Sequence, residues 1–165
     1  MNKFISNNFN PPQTLATDEF YLRMLTVNDV VKDYDAVMTS VDHLKGVFGS
    51  NDLWPKTDLT FEQDLIDLGW HQKEFQRRSS FAYTVMKLDE SQCLGCVYIM
   101  PSDNEQYDAM VILWVRKSEL ANNLDEKLFL AVQTWIDKEW PFKNVAYPGR
   151  KITWDKFLSL GSDFV

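Results

Sequence analysis

Histidine and cysteine are scarce in this chain, two of each in 165 residues, and that scarcity removes most metal and redox chemistry. His43 and His71 each fall on an expected helix, and no His-x-His or His-Glu-x-x-His spacing is present to grip a cation. Cys93 and Cys96 form a Cys-x-x-Cys, but inside an apolar run, where residues three apart on a strand point to opposite faces. They are expected to be two buried free thiols rather than a redox or metal pair. Glycine is also sparse, at six residues, with neither a glycine-rich phosphate loop nor a Gly-x-Ser-x-Gly elbow. Nucleoside triphosphatase and serine hydrolase classes therefore drop out. Cations number 17 against 24 acidic residues, a net charge of −7, which argues against neutralisation of nucleic acid phosphates. No apolar run approaches the ~20 residues of a membrane span or the length of a secretory signal, so no membrane partner and a cytoplasmic location are expected.

What is present suits one domain. The length permits a core without disulfides or a structural metal, and 45% hydrophobic with 14% aromatic residues is ordinary globular composition. Residues 1–18, rich in Asn, Pro and Thr without periodicity, read as a weakly ordered tail or extended arm, followed by a single domain over 19–165. Arg77 and Arg78 with Lys73 make the main local basic cluster, expected as a solvated helix end.

A short strand over 20–25 leads to Thr26 and Asp29, spaced as a helix capping box. Val30, Tyr34, Val37, Val41 and Leu44 then make one apolar stripe, predicting a single helix to about Gly46. The run 47–59 mixes turn residues with Phe48 and Trp54, and reads either as a lid or as a loop that caps the core. Thr60 and Gln63 open a second helix to about Arg78, with Phe61, Leu65, Leu68 and Phe75 as its buried face. Three apolar runs, 81–86, 94–100 and 109–115, are joined by short polar turns and predict an antiparallel meander. The next helix starts near Leu124, buries Leu124, Leu128, Ala131 and Trp135, and stops near Trp140 before Pro141. Val145 to Tyr147 is a short strand, and 153–160 a final short helix.

This succession of strand, two helices, three antiparallel strands, helix and strand resembles the GCN5-related N-acetyltransferases. The resemblance spans about 20–150 and is carried by Phe20-Tyr21-Leu22-Arg23-Met24-Leu25, Leu94-Gly95-Cys96-Val97-Tyr98-Ile99 and Val111-Ile112-Leu113-Trp114-Val115-Arg116. It implies an α+β fold with a mixed, mostly antiparallel central sheet flanked by helices, acyl-CoA N-acyltransferase-like. The implied activity is transfer of an acetyl group from acetyl-CoA, as cosubstrate, to an amine of a small molecule or protein. In that family the strand matching 110–116 splays from its neighbour and bonds the pantetheine arm through its main chain, which implicates Trp114, Val115 and Arg116. The family loop that follows reads Gln or Arg, two residues, Gly, one residue, Gly or Ala. Leu120, Asn123 and Asp125 stand at those places here, and Lys117, Asn122 and Leu124 complete the implied cofactor-binding segment.

These departures have physical consequences. Glycines let backbone N–H groups at a helix start approach a diphosphate, and here side chains fill that space. Asn123 and Glu126 are spaced as a self-contained capping box, and the Asp125 and Glu126 carboxylates would repel a dianion by roughly 2 to 4 kcal/mol at an effective dielectric near 20. Arg116, Lys117 and Lys127 flank the loop and offer side-chain anion binding instead. For catalysis the resemblance implies a carboxylate base and a tyrosine acid, and Asp108 and Tyr147 lie in suitable regions, although Tyr147 also reads as a core-edge aromatic. The family continues past its fifth strand further than the sixteen residues that follow Gly149 here, which suggests a homodimer contact around 143–165. Two rival expectations stand beside the enzyme: a catalytically inactive binding or regulatory module with this fold, and a partner-docking protein using exposed aromatics around Trp54 and around Trp135, Trp140 and Trp154.

Overall fold

The computed structural model describes residues 4–159. Six strands lie in one sheet in chain order: β1 Thr14–Ala16, β2 Phe20–Met24, β3 Phe81–Lys87, β4 Cys93–Met100, β5 Ala109–Val115 and β6 Val145–Ala146. All neighbours pair antiparallel except β5 and β6, which run parallel. The expected α+β architecture, a mixed and mostly antiparallel sheet flanked by helices, is what forms. The helices are α1 Val30–Met38, α2 Val41–Leu44, α3 Phe61–Arg77, α4 Leu124–Glu139 and α5 Trp154–Ser159. The expected final helix reaches Leu160, and that residue, with the end of the expected dimer segment, lies outside the described residues.

Each sheet face buries a separate core. The near-continuous apolar runs of β3, β4 and β5 are those of strands covered on both sides. On one face Phe81, Tyr83, Val97, Val111 and Leu113 pack against Leu128, Val132, Trp135 and Ile136 of α4. Leu128, Val132 and Ile136 have no exposed surface, each stabilising by about 1.5–3 kcal/mol relative to full exposure. On the other face Ala82, Cys96, Tyr98, Ile112 and Trp114 meet α1, α3 and the 47–59 loop.

Several local expectations are corrected. The single helix expected over 30–46 breaks between α1 and α2, where the Thr39 hydroxyl donates back to the Asp35 carbonyl at 2.6 Å and the Ser40 hydroxyl serves a partner outside the helix. Ser40 Oγ accepts the Lys117 N–H at 2.9 Å, and Thr39 Oγ1 accepts from Arg116 at 3.3 Å, so the break ties the helices to the end of β5. On α3, Leu68 is buried but Phe61 and Leu65 are 44% and 37% exposed, since it is Asp64 that the first turn directs inward. The Thr60 and Gln63 capping box forms, with Gln63 N–H donating to Thr60 Oγ1 at 3.2 Å and Thr60 N–H to Gln63 Oε1 at 2.9 Å.

The N-terminal arm is not loose from Phe4 onward. Ile5 is buried, Tyr83 donates its hydroxyl to the Pro12 carbonyl at 2.7 Å, and Thr14–Ala16 adds an edge strand. Arg78, expected at a solvated helix end, donates to the carbonyls of Ser6 and Phe9 and clamps that arm. Apolar residues in a polar segment find a dry surface that only the folded sheet provides. Cys93 and Cys96 are free and buried as expected, but both face the α1–α3 core rather than opposite faces. A register shift at Val85 and Met86, which pair with Gly95 and Cys93, inserts one residue and undoes the alternation. Burial pushes the Cys93 thiol up to about 12, which keeps it an unreactive SH group.

Candidate acyl-carrier cleft

β5 and β6 pair only at Ala109 with Val145 and Met110 with Ala146, after which the chain turns away. The turn is set by Gly149 at φ 79°, a left-handed conformation that disfavours a side chain, with Gly149 N–H bonded to the Ile152 carbonyl at 2.7 Å. This divergence opens a cleft of about 360 Å³ between Leu113 and Trp114 of β5, Asp125 at the start of α4, Gly149 and Arg150. β5 is held straight on its other side by β4. Gly95 allows this: a Cβ there would stand 2.0 Å from the Trp114 carbonyl oxygen.

Arg150 dominates the cleft. Its Nη1 and Nη2 donate to the two oxygens of Asp125, each at 2.8 Å, and Nη2 also donates to the Leu113 carbonyl at 3.2 Å. The guanidinium lies 5.0 Å from the Phe129 ring centre. A planar fork suits this double task, pairing with a carboxylate and satisfying a β5 carbonyl that β6 leaves open. Asp125 is therefore neutralised, where the sequence alone suggested a free repelling charge.

The loop before α4 is a 3-10 helix over Lys117–Asn122 rather than an irregular loop. Asn123 follows at φ 55° and, contrary to expectation, does not cap α4 with its side chain. Its Nδ2 instead donates to Glu126 Oε2 at 3.0 Å, as Asn122 Nδ2 donates to Glu119 Oε2 at 3.0 Å. The N–H groups of the first α4 turn thus receive no side-chain acceptor from Asn123.

The other expected residues divide sharply. Trp114 lines the cleft and donates its indole N–H to Tyr98 Oη at 3.1 Å, while Val115 and Leu124 are buried core residues beside it. Arg116 is 5% exposed and fully engaged with the Cys93 carbonyl at 3.1 Å, Asp35 at 3.0 Å and Ser118 at 3.1 Å. Its guanidinium clamps β5 to α1. Lys127 pairs with Glu19 at 2.8 Å, away from the cleft lining, and Lys117 is exposed.

Asp108 and Tyr147 do not line the cleft. Asp108 Oδ2 accepts the N–H groups of Lys143 at 2.7 Å and Asn144 at 2.9 Å, at the opposite end of β5. Those backbone N–H bonds hold its carboxyl below the usual range, which makes it a weak base. Tyr147 is buried beside Phe129 with a partnerless hydroxyl whose pKa burial raises. Arg150 is the residue that sequence reasoning missed. Its one signal was its position directly after Pro148-Gly149, where a turn ending the last strand leaves a cation at the strand's carboxyl end.

The expected docking face is also corrected: Trp135 and Trp140 are 2% and 5% exposed and stack with Tyr83 and Phe81 inside the core. Among the described residues no three His, Cys, Asp or Glu side chains group as a metal site, and no helix is long and apolar enough to cross a membrane.

The fold is that of the GCN5-related N-acetyltransferases. A ribosomal-protein-S5-alanine acetyltransferase from Vibrio fischeri superposes with a TM-score of 0.58 at 14% identity, over 90% of this chain and 81% of that one. A Vibrio cholerae protein described as a ribosomal-protein-serine acetyltransferase gives a TM-score of 0.66 at 11% identity, over 93% and 84% of the two chains. A ribosomal L7/L12 alpha-N-protein acetyltransferase solved in complex with coenzyme A gives 0.60 at 15% identity, over 74% and 67%. No family model and no curated protein sequence matches the chain.

Proposed function

We propose that the protein is an acyltransferase that moves an acetyl group from acetyl-CoA to an amine of a small molecule or protein. The observation that carries this reading is the cleft itself. β5 leaves β6 after two paired residues, a β5 carbonyl is met by a side chain instead of a strand, and a guanidinium stands beside the start of a sixteen-residue helix. A pantetheine arm has free strand edge to bond, and a diphosphate has both Arg150 and a helix N-terminus to approach. Asp125 then becomes the competitor: the diphosphate must share or take the guanidinium that the carboxylate now holds. A structural neighbour crystallised with coenzyme A supports the choice of carrier.

The test is thermal unfolding with and without acetyl-CoA, followed by release of free CoA thiol in the presence of an amine panel. Saturation at ~100 times the dissociation constant adds about 2.7 kcal/mol, several degrees in midpoint. No rise rejects the reading. A second reading, a module that binds the carrier without transferring from it, is favoured by the absence of Asp108 and Tyr147 from the cleft lining. A thermal rise with no thiol release from any amine selects it.

A further inference from the structure

A second cavity, of about 270 Å³, lies on the same face of the sheet, separated from the cleft by the tilted rings of Trp54 and Trp114, 5.9 Å apart. Four carboxylates line it: Asp33 from α1, Asp52 from the 47–59 loop, and Asp64 and Asp67 from α3. Among the described residues no lysine or arginine does. Asp33 and Asp64 are 4% and 2% exposed, and Asp64 Oδ2 is buried with no N–H or hydroxyl donor. Burial and then repulsion from Asp64 raise the Asp33 pKa, burial and then Asp67 raise that of Asp64, and the bond from Asp33 lowers it again, so that Asp33 holds a proton that it shares with Asp64. The nearby Asp29, by contrast, has its own cation, with Arg23 donating to both its oxygens at 3.0 and 2.8 Å.

The rest of the wall is aromatic. Trp54, Trp70, Tyr98 and Phe48 line it, Trp70 half-exposed and Phe48 edge-on to Tyr98 at 5.2 Å. His71 also faces the cavity, and burial lowers its pKa to about 4, so it is neutral and supplies no countercharge. Buried carboxylates without a cation are costly in isolation, and ring faces attract cations. Among the described residues no three His, Cys, Asp or Glu side chains are grouped to hold a metal ion.

We propose that this cavity binds a small organic cation, a primary ammonium on an apolar body, with Asp64 as its ion partner and Trp54 and Trp70 against its carbon frame. The volume lies just below the usual range for small-ligand pockets, ~300–1,000 Å³, and suits a monoamine rather than a protein terminus. As the acceptor site this rests on the acyltransferase reading, since the amine would sit across the Trp54–Trp114 pair from the acyl carrier. As a binding site it stands without it.

The experiment titrates the full-length protein, without acetyl-CoA, with 2-phenylethylamine and with its neutral isostere 2-phenylethanol, following tryptophan fluorescence. Saturable change with the amine at least about tenfold tighter than with the alcohol, weakened about tenfold or more in Asp64→Asn, is the expected result. Asp67→Asn, at an exposed position, gives a smaller loss and serves if the buried variant does not fold. Equal affinity for amine and alcohol, no saturable change, or amine affinity untouched in the carboxylate variants overturns the proposal. Amine binding with no acetyl-CoA melting shift leaves the cavity standing and removes the transferase; the reverse removes only the cavity.

Discussion

The two cavities on the α1–α3 face differ in how their charge is balanced. In the cleft, Arg150 and Asp125 cancel each other through two 2.8 Å bonds, so an arriving phosphate must compete with an internal partner. In the neighbouring cavity, buried Asp33 and Asp64 meet no lysine or arginine among the described lining residues and share a proton. The first is a site already closed on itself, the second a site whose electrostatics are incomplete. Complementary charge is thus built into one by the chain and left to a ligand in the other.

The change that breaks both cavities at once is Gly95→Ala. The new methyl would collide with the Trp114 carbonyl, and β5 would have to move off β4. A loss of more than about 3 kcal/mol is expected, read by urea unfolding, because the obstacle is backbone and cannot rotate away. A near-neutral variant would mean that the sheet yields there.

Arg150→Ala and Asp125→Asn sharpen the cleft side of the comparison. Removing the guanidinium should weaken acetyl-CoA binding by at least about tenfold, whereas removing the carboxylate's charge should tighten it, both by calorimetry. Weakening in both variants would show that Asp125 positions Arg150 rather than competing for it.

The acidic cavity should declare itself in the pH dependence of stability. Asp64 titrates at about 6 in the folded protein against ~3.9 unfolded, so between those values the native state binds more protons and stability falls as pH rises. Asp33 and Asp67 are raised in the same direction. His71 acts oppositely: its folded value of about 4 lies below ~6.5, so its contribution grows as pH rises across that window. Asp64→Asn should therefore raise the melting midpoint by a few degrees at pH 7, with the gain vanishing below pH ~4, and His71→Gln should steepen the fall between them. A gain independent of pH would point to packing instead of charge.

The smallest effect is expected at the surface. Lys127→Ala removes the exposed pair with Glu19 and should change stability by less than about 1 kcal/mol and leave both ligand titrations unmoved.

The strands and α4 were legible because their apolar spacing is a local property of the chain: β3, β4 and β5 and the Leu124, Leu128 and Trp135 stripe all form near their expected limits. The Thr39–Ser40 break was not, since the hydroxyls of Thr39 and Ser40 accept from Arg116 and Lys117, residues that only folding brings near. The partners of the expected anion ligands were hidden for the same reason. Arg116 sits in the right loop, yet its guanidinium turns toward Asp35 and the Cys93 carbonyl.

Apolar period by itself determined the strand runs, the antiparallel meander and α4, because these follow from which side chains must leave water, while the fold class and the place of a cleft were implied by the family resemblance. Tertiary structure decided which charges face that cleft and which carboxylates stand buried without a cation. Arg150 meets Asp125 from twenty-five residues away, and the acidic cavity gathers Asp33, Asp52, Asp64 and Tyr98 from four separate segments. Side-chain electrostatics depends on distances of a few ångströms between such segments, and the order of residues along a chain does not carry those distances.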